Sequence, residues 1–408
     1  MRDVAIIGVG MIPFGRRDED GLMDMLAYAS LKALDDAGLG AAGGAVRGSG
    51  KEPVGIEAVY VGNMGGGILQ HQTAVASSLV DRINLLPAAA ETVENGPASG
   101  GSAVKNGILA VASGYYDYVL VVGGEKMRDV TGWRATDFVA TMTHPQVEYV
   151  YGLTLPGMAG MFTRLYMEKY GVTRDMLVAV ALKNQEMGAL NPYAHVEMAL
   201  SREGIVDSPH SVVNNPTVAD PLHLYDACPV SDGAAAIVLC PLDRVKDAKK
   251  PPVVIAGFGQ ATDTHTLQER EDPTDLKAVT LAAQQAFEMA KLTPADIHVA
   301  ELHDAFTILE IAESEHIGFF KKGEGGKAVL AGKTCFGGSL PINVSGGLKA
   351  RGHPVGATGV AQVVELVFQL RHELPKNRQV KNAENGFSIN FGGFGNNVLS
   401  FVLRRVRQ

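Results

Sequence analysis

VAIIGVG at residues 4–10 decides the fold, because it returns as VVIAGFG at residues 253–259. Each is a short apolar run closed by glycines. Each is followed by a polar loop and an amphipathic stretch, LMDMLAYASLKALDDAGL at 22–39 and DLKAVTLAAQQAFEMAKL at 275–292. Apolar positions recurring every three to four residues after a strand-length run predict strand, loop and helix in both places. A further strand follows each helix, in IEAVYVG (56–62) and IHVAELHDAF (297–306). SGGSAVKNGILAVASGYYDYVLVVGGE (99–125) then finds its counterpart in VGATGVAQVVELVFQL (355–370) with GFSINFGGFGNNVLSFVL (386–403). Self-similarity over so long an offset predicts an internally duplicated α/β protein.

Between the halves, from Lys126 to Tyr225, the pattern loosens into Met-, Pro- and His-rich sequence such as MTHPQVEYVYGLTLPGMAGMF (142–162) and KNQEMGALNPYAHVEM (183–198). That is too long for a plain connection. It reads either as an insertion covering a binding cleft or as a purely structural excursion.

Composition supports a large enzyme-like interior. The 408 residues exceed one simple core, and 46% hydrophobic residues, 20% charged residues and 48 glycines suit an α/β protein with many tight turns. A net charge of −8 argues against a nucleic-acid surface, which needs clustered basic residues in excess. Three cysteines, Cys228, Cys240 and Cys335, show no zinc-ligand spacing and no disulfide framework, so a metal-free chain in a reducing cytoplasm is expected. The first apolar run is too short for a signal segment, and no later stretch approaches the ~18 apolar residues of a membrane span, so a soluble protein is expected. The GVG and GFG turns do not begin a dinucleotide fingerprint, because Pro13 and Thr262 stand where the third glycine is required.

Four segments carry chemistry: VENGPASGG (93–101), HDAFT (303–307), NVSGGLKARGHPVGATG (343–359) and INFGGFG (389–395), supported by NPYAH (191–195) and CPVSDGAAA (228–236). In this order and spacing they resemble the thiolase superfamily over essentially the whole chain, in particular the branch of archaeal thiolases and of the thiolase part of sterol carrier proteins. The resemblance implies a duplicated five-layered αβαβα fold with an inserted loop domain. Residues 1–125 and 226–250 would form the N-terminal half, 126–225 the inserted cover and 251–408 the C-terminal half.

Thiolase chemistry makes or breaks a carbon–carbon bond beside a thioester, so it needs a nucleophile, an acid/base and donors for developing oxyanions. By resemblance His353 of the GHP turn activates the nucleophile and helps hold a thioester oxygen. His303 faces the reacting carbon as acid/base or oxyanion donor. Asp304 is expected to be structural, as a helix N-cap, and Asn343 to organise the glycine turn that follows it. Asn390 and Gly392 occupy the motif in which the family carries its second cysteine, and asparagine has no thiol to titrate. Coenzyme A, as a substrate, is expected along Ser345, Gly346 and Gly347, with Lys349 or Arg351 meeting a phosphate or lying in a solvated loop.

The departure from the family is Pro97, which stands where thiolases carry the nucleophilic cysteine. Proline supplies neither an attacking atom nor a backbone N–H. One lost oxyanion donor alone costs ~3–4 kcal/mol of transition-state stabilisation. The helix start should survive, since proline is accepted in a first helical turn. Cys228, Cys240 and Cys335 are expected to be structural, with Cys335 as the candidate for reaching the pocket.

The implied function is therefore acyl-CoA C-acyltransferase chemistry of Claisen or retro-Claisen type on a β-ketoacyl-CoA, with CoA attacking directly and no acyl-enzyme. Retro-aldol cleavage of a β-hydroxyacyl-CoA, or a non-catalytic CoA-binding subunit, are the alternatives. The retained histidines favour the first. An aromatic acyl group, as in the benzoylsuccinyl-CoA type of thiolase, suits a pocket freed of the cysteine. The resemblance also implies a homodimer and a small zinc-ribbon partner with an oligonucleotide-binding-type fold.

Overall fold

The computed structural model describes residues 2–40, 55–196, 198–203, 206 and 214–406, so residues 197, 204, 205 and 207–213 of the expected insertion lie outside the described residues. The first part of the chain runs β1 (Val4–Met11), α1 (Leu22–Asp36), β2 (Ala58–Gly62), α2 (Gly66–Leu69), α3 (Val75–Arg82), β3 (Ala89–Val93), α4 (Ser99–Ala112) and β4 (Val119–Glu125). Next come α5 (Gly132–Ala140), α6 (Leu155–Tyr170), α7 (Arg174–Ala189), the small pair β5 (Thr217–Ala219) and β6 (Leu222–His223), and then β7 (Gly233–Pro241). The rest is β8 (Val253–Thr262), α8 (Lys277–Ala290), β9 (Val299–Glu301), α9 (Thr307–His316), α10 (Gly325–Leu330), α11 (Gly347–Arg351), α12 (Val355–Arg371), β10 (Asn385–Gly392) and β11 (Asn397–Arg405).

The duplication is visible strand by strand. In the first half β2 runs parallel to β4, β4 antiparallel to β7, and β7 antiparallel to β1. In the second, β9 runs parallel to β10, β10 antiparallel to β11, and β11 antiparallel to β8. Both sets therefore share order and sense. A short antiparallel contact, Ala5 with Val254 and Ile6 with Val253, joins them into one nine-stranded sheet ordered β3-β2-β4-β7-β1-β8-β11-β10-β9. This refines the sequence match, since β11 corresponds to β7 and not to β4. In the second half a tight turn at residues 393–396 returns the chain at once, whereas in the first half residues 126–232 lie between β4 and β7.

The repeated GVG and GFG have a packing reason. A Cβ on Gly8 or Gly10 would lie 2.2 or 2.3 Å from a carbonyl oxygen of α1, and one on Gly257 or Gly259 would lie 2.2 or 2.1 Å from a carbonyl oxygen of α8. Only hydrogen lets each helix settle directly on its strand. Three cores result. One lies between α1, α3 and the outer face of the first half-sheet. One lies between α8, α9, α6, α7 and the outer face of the second. The third, around α4 and α12, is shared by strands of both halves, including Ile6, Val121, Ile237, Leu399 and Phe401. Helix, sheet, helix, sheet and helix make five layers, and α4 and α12 form the middle one. Among the described residues no helix is long and apolar enough to cross a membrane.

Candidate active site

The middle layer positions the site. A Cβ on Gly100 would lie 2.6 Å from the Gly356 carbonyl oxygen, and one on Gly359 only 2.3 Å from the Gly101 nitrogen. The glycines of ASGG and VGATG thus let α4 and α12 cross in near-contact. Their N-termini converge, and with them Pro97 and His353, which immediately precede the two caps.

Pro97 sits one residue before the helix cap Ala98, not in the first turn as its sequence suggested. Ala98 N–H donates to the Asn95 carbonyl at 3.1 Å, closing a turn whose first central residue is Gly96 at φ +54°. Glycine supplies that conformation and proline's fixed φ suits the next position, so the missing N–H breaks no bond.

Asn390, near the end of β10, links three parts of the site. Its Oδ1 accepts from Gly101 N–H at 3.1 Å, which orients the amide. Its Nδ2 then donates to the Pro97 carbonyl at 3.3 Å and contacts His303 Nδ1 at 3.2 Å. A donor facing Nδ1 requires Nδ1 to accept, so the neutral His303 ring carries its hydrogen on Nε2. The ring stacks on Phe391 (centroids 5.3 Å apart, planes 7° apart) and meets His353 edge-on at 5.0 Å.

His353 has the opposite arrangement. Its Nδ1 lies 2.7 Å from Thr358 Oγ1, whose hydrogen goes to the Pro354 carbonyl at 3.0 Å. The threonine oxygen therefore accepts from Nδ1–H, and Nε2 keeps a free lone pair. Burial pushes His353 down to about 3, with the charge of Arg351 adding to it. Burial, then His353 and Arg351, hold His303 well below the usual imidazole range. Both rings are neutral at neutral pH, one a hydrogen-bond donor and the other a base.

Both histidines line a cavity of about 170 Å³ with Pro97, Phe306, Phe391 and Phe394. Met127, Ala135, Met142, Leu155 and Pro156 from the expected insertion close one side. Cys228 lies in the wall and Cys335 does not. Burial pushes the Cys228 thiol up to about 12, so it is not a ready thiolate.

The stretch expected to meet CoA turns inward instead. Ser345 Oγ donates to Glu301 Oε2 at 2.5 Å, and the fully buried Arg351 lies 3.4 Å from the same carboxylate. A Cβ on Gly346 would meet Gly188 at 2.8 Å and one on Gly347 would meet the Asp304 carboxylate at 2.3 Å. Lys349 is buried over the Tyr225 ring at 5.8 Å, and burial lowers its pKa. None of these side chains lines the cavity, because Ser345 and Arg351 are taken up by Glu301 and the glycines by close packing. Gly392 is the last residue of β10 and does not line this cavity; a Cβ on it would lie 3.0 Å from the Asn95 carbonyl oxygen.

Asp304 is structural, as expected, but it caps a different helix. Its carboxylate accepts from Leu348 and Lys349 N–H at 2.7 and 3.3 Å, while Phe306 is the cap of α9. Asn343 bonds Leu302 N–H and Glu310 through its side chain, at 2.7 Å each, so it ties the β9 loop to α9. Sequence reasoning missed Thr358, Phe391 and Ser231, whose Oγ accepts from His353 N–H at 3.3 Å and meets His195 Nδ1 at 2.8 Å. Thr358 lay in the quoted GHPVGATG, but the residue five positions after a histidine declares its role only once the helix is built.

Residues 4–243 match the thiolase N-terminal domain, and residues 259–405 match the thiolase C-terminal domain-like family. The chain is 43% identical over 405 residues to the acetyl-CoA acetyltransferase of Methanothermobacter thermautotrophicus, covering 99% of this chain and 100% of that one. It is 32% identical over 376 residues to the benzoylsuccinyl-CoA thiolase subunit BbsB of Thauera aromatica, covering 92% and 90%. Among solved structures, an Ltp2-ChsH2(DUF35) aldolase matches with a TM-score of 0.80 at 24% identity, covering 100% of this chain and 98% of that one.

Proposed function

The chain belongs to the thiolase superfamily, and from that premise we propose that it cleaves, or in reverse forms, the C2–C3 bond of a β-ketoacyl-CoA with free CoA as the direct nucleophile. The observation that carries this reading is the pairing of a bare His353 Nε2 with a His303 Nε2–H in one cavity where Pro97 stands in place of the family's cysteine and burial keeps the thiol of Cys228, in the wall, protonated. His353 takes the proton from the CoA thiol, and the sulfur bonds to C3, turning the ketone into an alkoxide. Collapse of the alkoxide breaks C2–C3, makes C3 the carbonyl of a new thioester and passes the electron pair to the enolate of the departing acyl-CoA. His303 donates to the enolate oxygen. The imidazolium of His353 returns its proton to C2, giving two acyl-CoA products. Burial disfavours an isolated imidazolium, so His353 is charged only beside the thiolate, which couples proton removal to attack.

We assign residues 126–225 as the cover of this cavity, which Met127, Ala135, Met142, Leu155 and Pro156 help to close. With Ser345 to Arg351 turned inward, pantetheine is assigned to the gap between this cover and the loop at 227–230. CoA is a substrate and the chain is assigned no metal. We also propose a homodimer and a small zinc-ribbon partner. The partner reading is supported by BbsB being named a subunit and by the two-component name of the Ltp2-ChsH2(DUF35) neighbour.

The test is mass spectrometry of products from β-ketoacyl- and β-hydroxyacyl-CoA panels with and without free CoA, together with the intact protein mass. CoA-dependent cleavage with no protein adduct is expected. Cleavage without CoA, or an acyl adduct on Cys228, would overturn the reading.

A further inference from the structure

Two of the quoted motifs, NPYAH and CPVSDGAAA, have no part in the chemistry so far, and they meet behind His353. That histidine lies in the three-residue link between α11 and α12, directly after Gly352 at φ +106°. A short link containing glycine does not by itself fix the backbone of the residue beside it. NPYAH straps the link from outside. His195 N–H donates to the Arg351 carbonyl at 2.9 Å, Val196 N–H to the Ala350 carbonyl at 3.0 Å, and Asn191 Nδ2 to the Ser345 carbonyl at 2.8 Å. Only glycine fits at 352, since a Cβ there would lie 2.6 Å from Ser231 Oγ and 3.2 Å from His195 Cβ.

The Ser231 hydroxyl has one hydrogen and three polar neighbours. Its Oγ lies 3.1 Å from the Pro229 carbonyl oxygen, 2.8 Å from His195 Nδ1 and 3.3 Å from the His353 nitrogen. The carbonyl only accepts and the His353 N–H only donates. Burial, with the charge of Arg128, lowers the pKa of His195, so its ring is neutral at neutral pH and carries one hydrogen. If the hydroxyl gave its hydrogen to His195 Nδ1, the Pro229 carbonyl would be left out and two bonds would form. With the hydrogen of His195 on Nδ1, the hydroxyl donates to Pro229 and accepts from both histidines, making three. The second arrangement satisfies every group. The far side of the ring rests on Gly15, where a Cβ would lie 3.6 Å from His195 Cδ2, and Gly15 exchanges backbone bonds of 3.0 and 2.8 Å with Asp232, the neighbour of Ser231. Pro229 and His353 both line the cavity, whereas His195 and Ser231 do not.

Resting on the assignment of His353 as the base, we propose that His195 is a positioning residue for it. Through the Ser231 hydroxyl it fixes both the His353 backbone and the Pro229 carbonyl, in the loop beside which pantetheine is assigned. The base and the CoA thiol are thereby held at the separation that proton transfer requires.

The experiment compares His195→Ala, His195→Asn, Ser231→Ala and the first and third combined. Turnover of a β-ketoacyl-CoA with free CoA is measured, together with nitrogen NMR of the His353 ring. His195→Ala is expected to lower kcat by about tenfold, the fold-change of one net hydrogen bond, with KM moved by less than about twofold. Asparagine places an amide nitrogen where Nδ1 was, so His195→Asn should recover most of the loss. The combined variant should be no slower than Ser231→Ala, because the two side chains act in one chain of bonds. The His353 ring should be a single Nδ1–H tautomer in the wild type and a mixture in His195→Ala. His195→Leu, which keeps bulk without a donor, takes the place of the alanine variant if that one does not fold. A folded variant without the donor that keeps either the wild-type kcat or a single His353 tautomer overturns the proposal. So does a loss that asparagine fails to recover, or losses at His195 and Ser231 that multiply. A wild-type protein that turns over no β-ketoacyl-CoA, but whose His353 tautomer still depends on His195, overturns the reaction instead and leaves the positioning role standing.

Discussion

Replacing Asn390 by Asp exchanges one NH2 for an oxygen at nearly constant shape, so it isolates the hydrogen-bond logic at His303. One carboxylate oxygen keeps the Gly101 N–H, 3.1 Å away in the wild type. The other now faces two acceptors, the Pro97 carbonyl and His303 Nδ1, where the amide made contacts of 3.3 and 3.2 Å. The ring relieves this by moving its hydrogen to Nδ1, which leaves Nε2 facing the cavity as an acceptor. The enolate then loses a donor worth ~3–4 kcal/mol, a fall of ~10²–10³ in kcat/KM. The unpaired Pro97 carbonyl adds a stability loss of ~1–3 kcal/mol. The new carboxylate also favours a charged His303, so part of the activity should return as pH falls and Nε2 regains a proton. Product analysis gives the rate, and nitrogen NMR of the histidine ring gives the tautomer. A variant within threefold of wild type, or one whose His303 hydrogen stays on Nε2, refutes the reasoning.

Thr358→Val removes the oxygen that holds His353 Nδ1–H and should lower kcat by ~10–100-fold with little change in KM, while Thr358→Ser restores it; a KM effect alone would assign Thr358 to binding. His353 has a folded pKa of about 3 against ~6.5 unfolded, so the unfolded chain binds more protons between those values and stability falls as pH drops through that window. Urea midpoints at several pH values should show His353→Asn losing up to ~1.4 kcal/mol per pH unit less than wild type there, and equal slopes would contradict the buried neutral ring. Gly259→Ala places a methyl 2.1 Å from the Ala282 carbonyl oxygen and should cost ~3 kcal/mol in urea unfolding; an unchanged midpoint would deny the strand–helix contact. Pro97→Cys returns a thiol beside His353, and an acyl adduct of that variant on incubation with acyl-CoA, absent in wild type, is the expected intact mass. An adduct at Cys228 in both proteins would make that wall thiol the nucleophile.

The duplication was legible because its cause is local and repeated. Gly8, Gly10, Gly257 and Gly259 answer the same demand, a helix carbonyl against a strand, and so leave the same letters twice. Pro97, His303, His353 and Asn390 were legible as a set because their motifs carry them, and the fold does bring them to one place. The sequence did not disclose that the SGGLKAR segment turns away from the cavity. Neighbours of His353 along the chain look like neighbours of the substrate until Glu301 and Asp304, from a distant strand and loop, claim them. Nor did it separate Cys228 from Cys335, since chain position says nothing about which loop faces a cavity built from both halves. The roles of the two histidines were undecidable from sequence for the same reason. An imidazole can carry its hydrogen on either nitrogen, and only the partners that tertiary structure supplies, an amide from β10 for His303 and a hydroxyl one helical turn on for His353, decide which is donor and which is base.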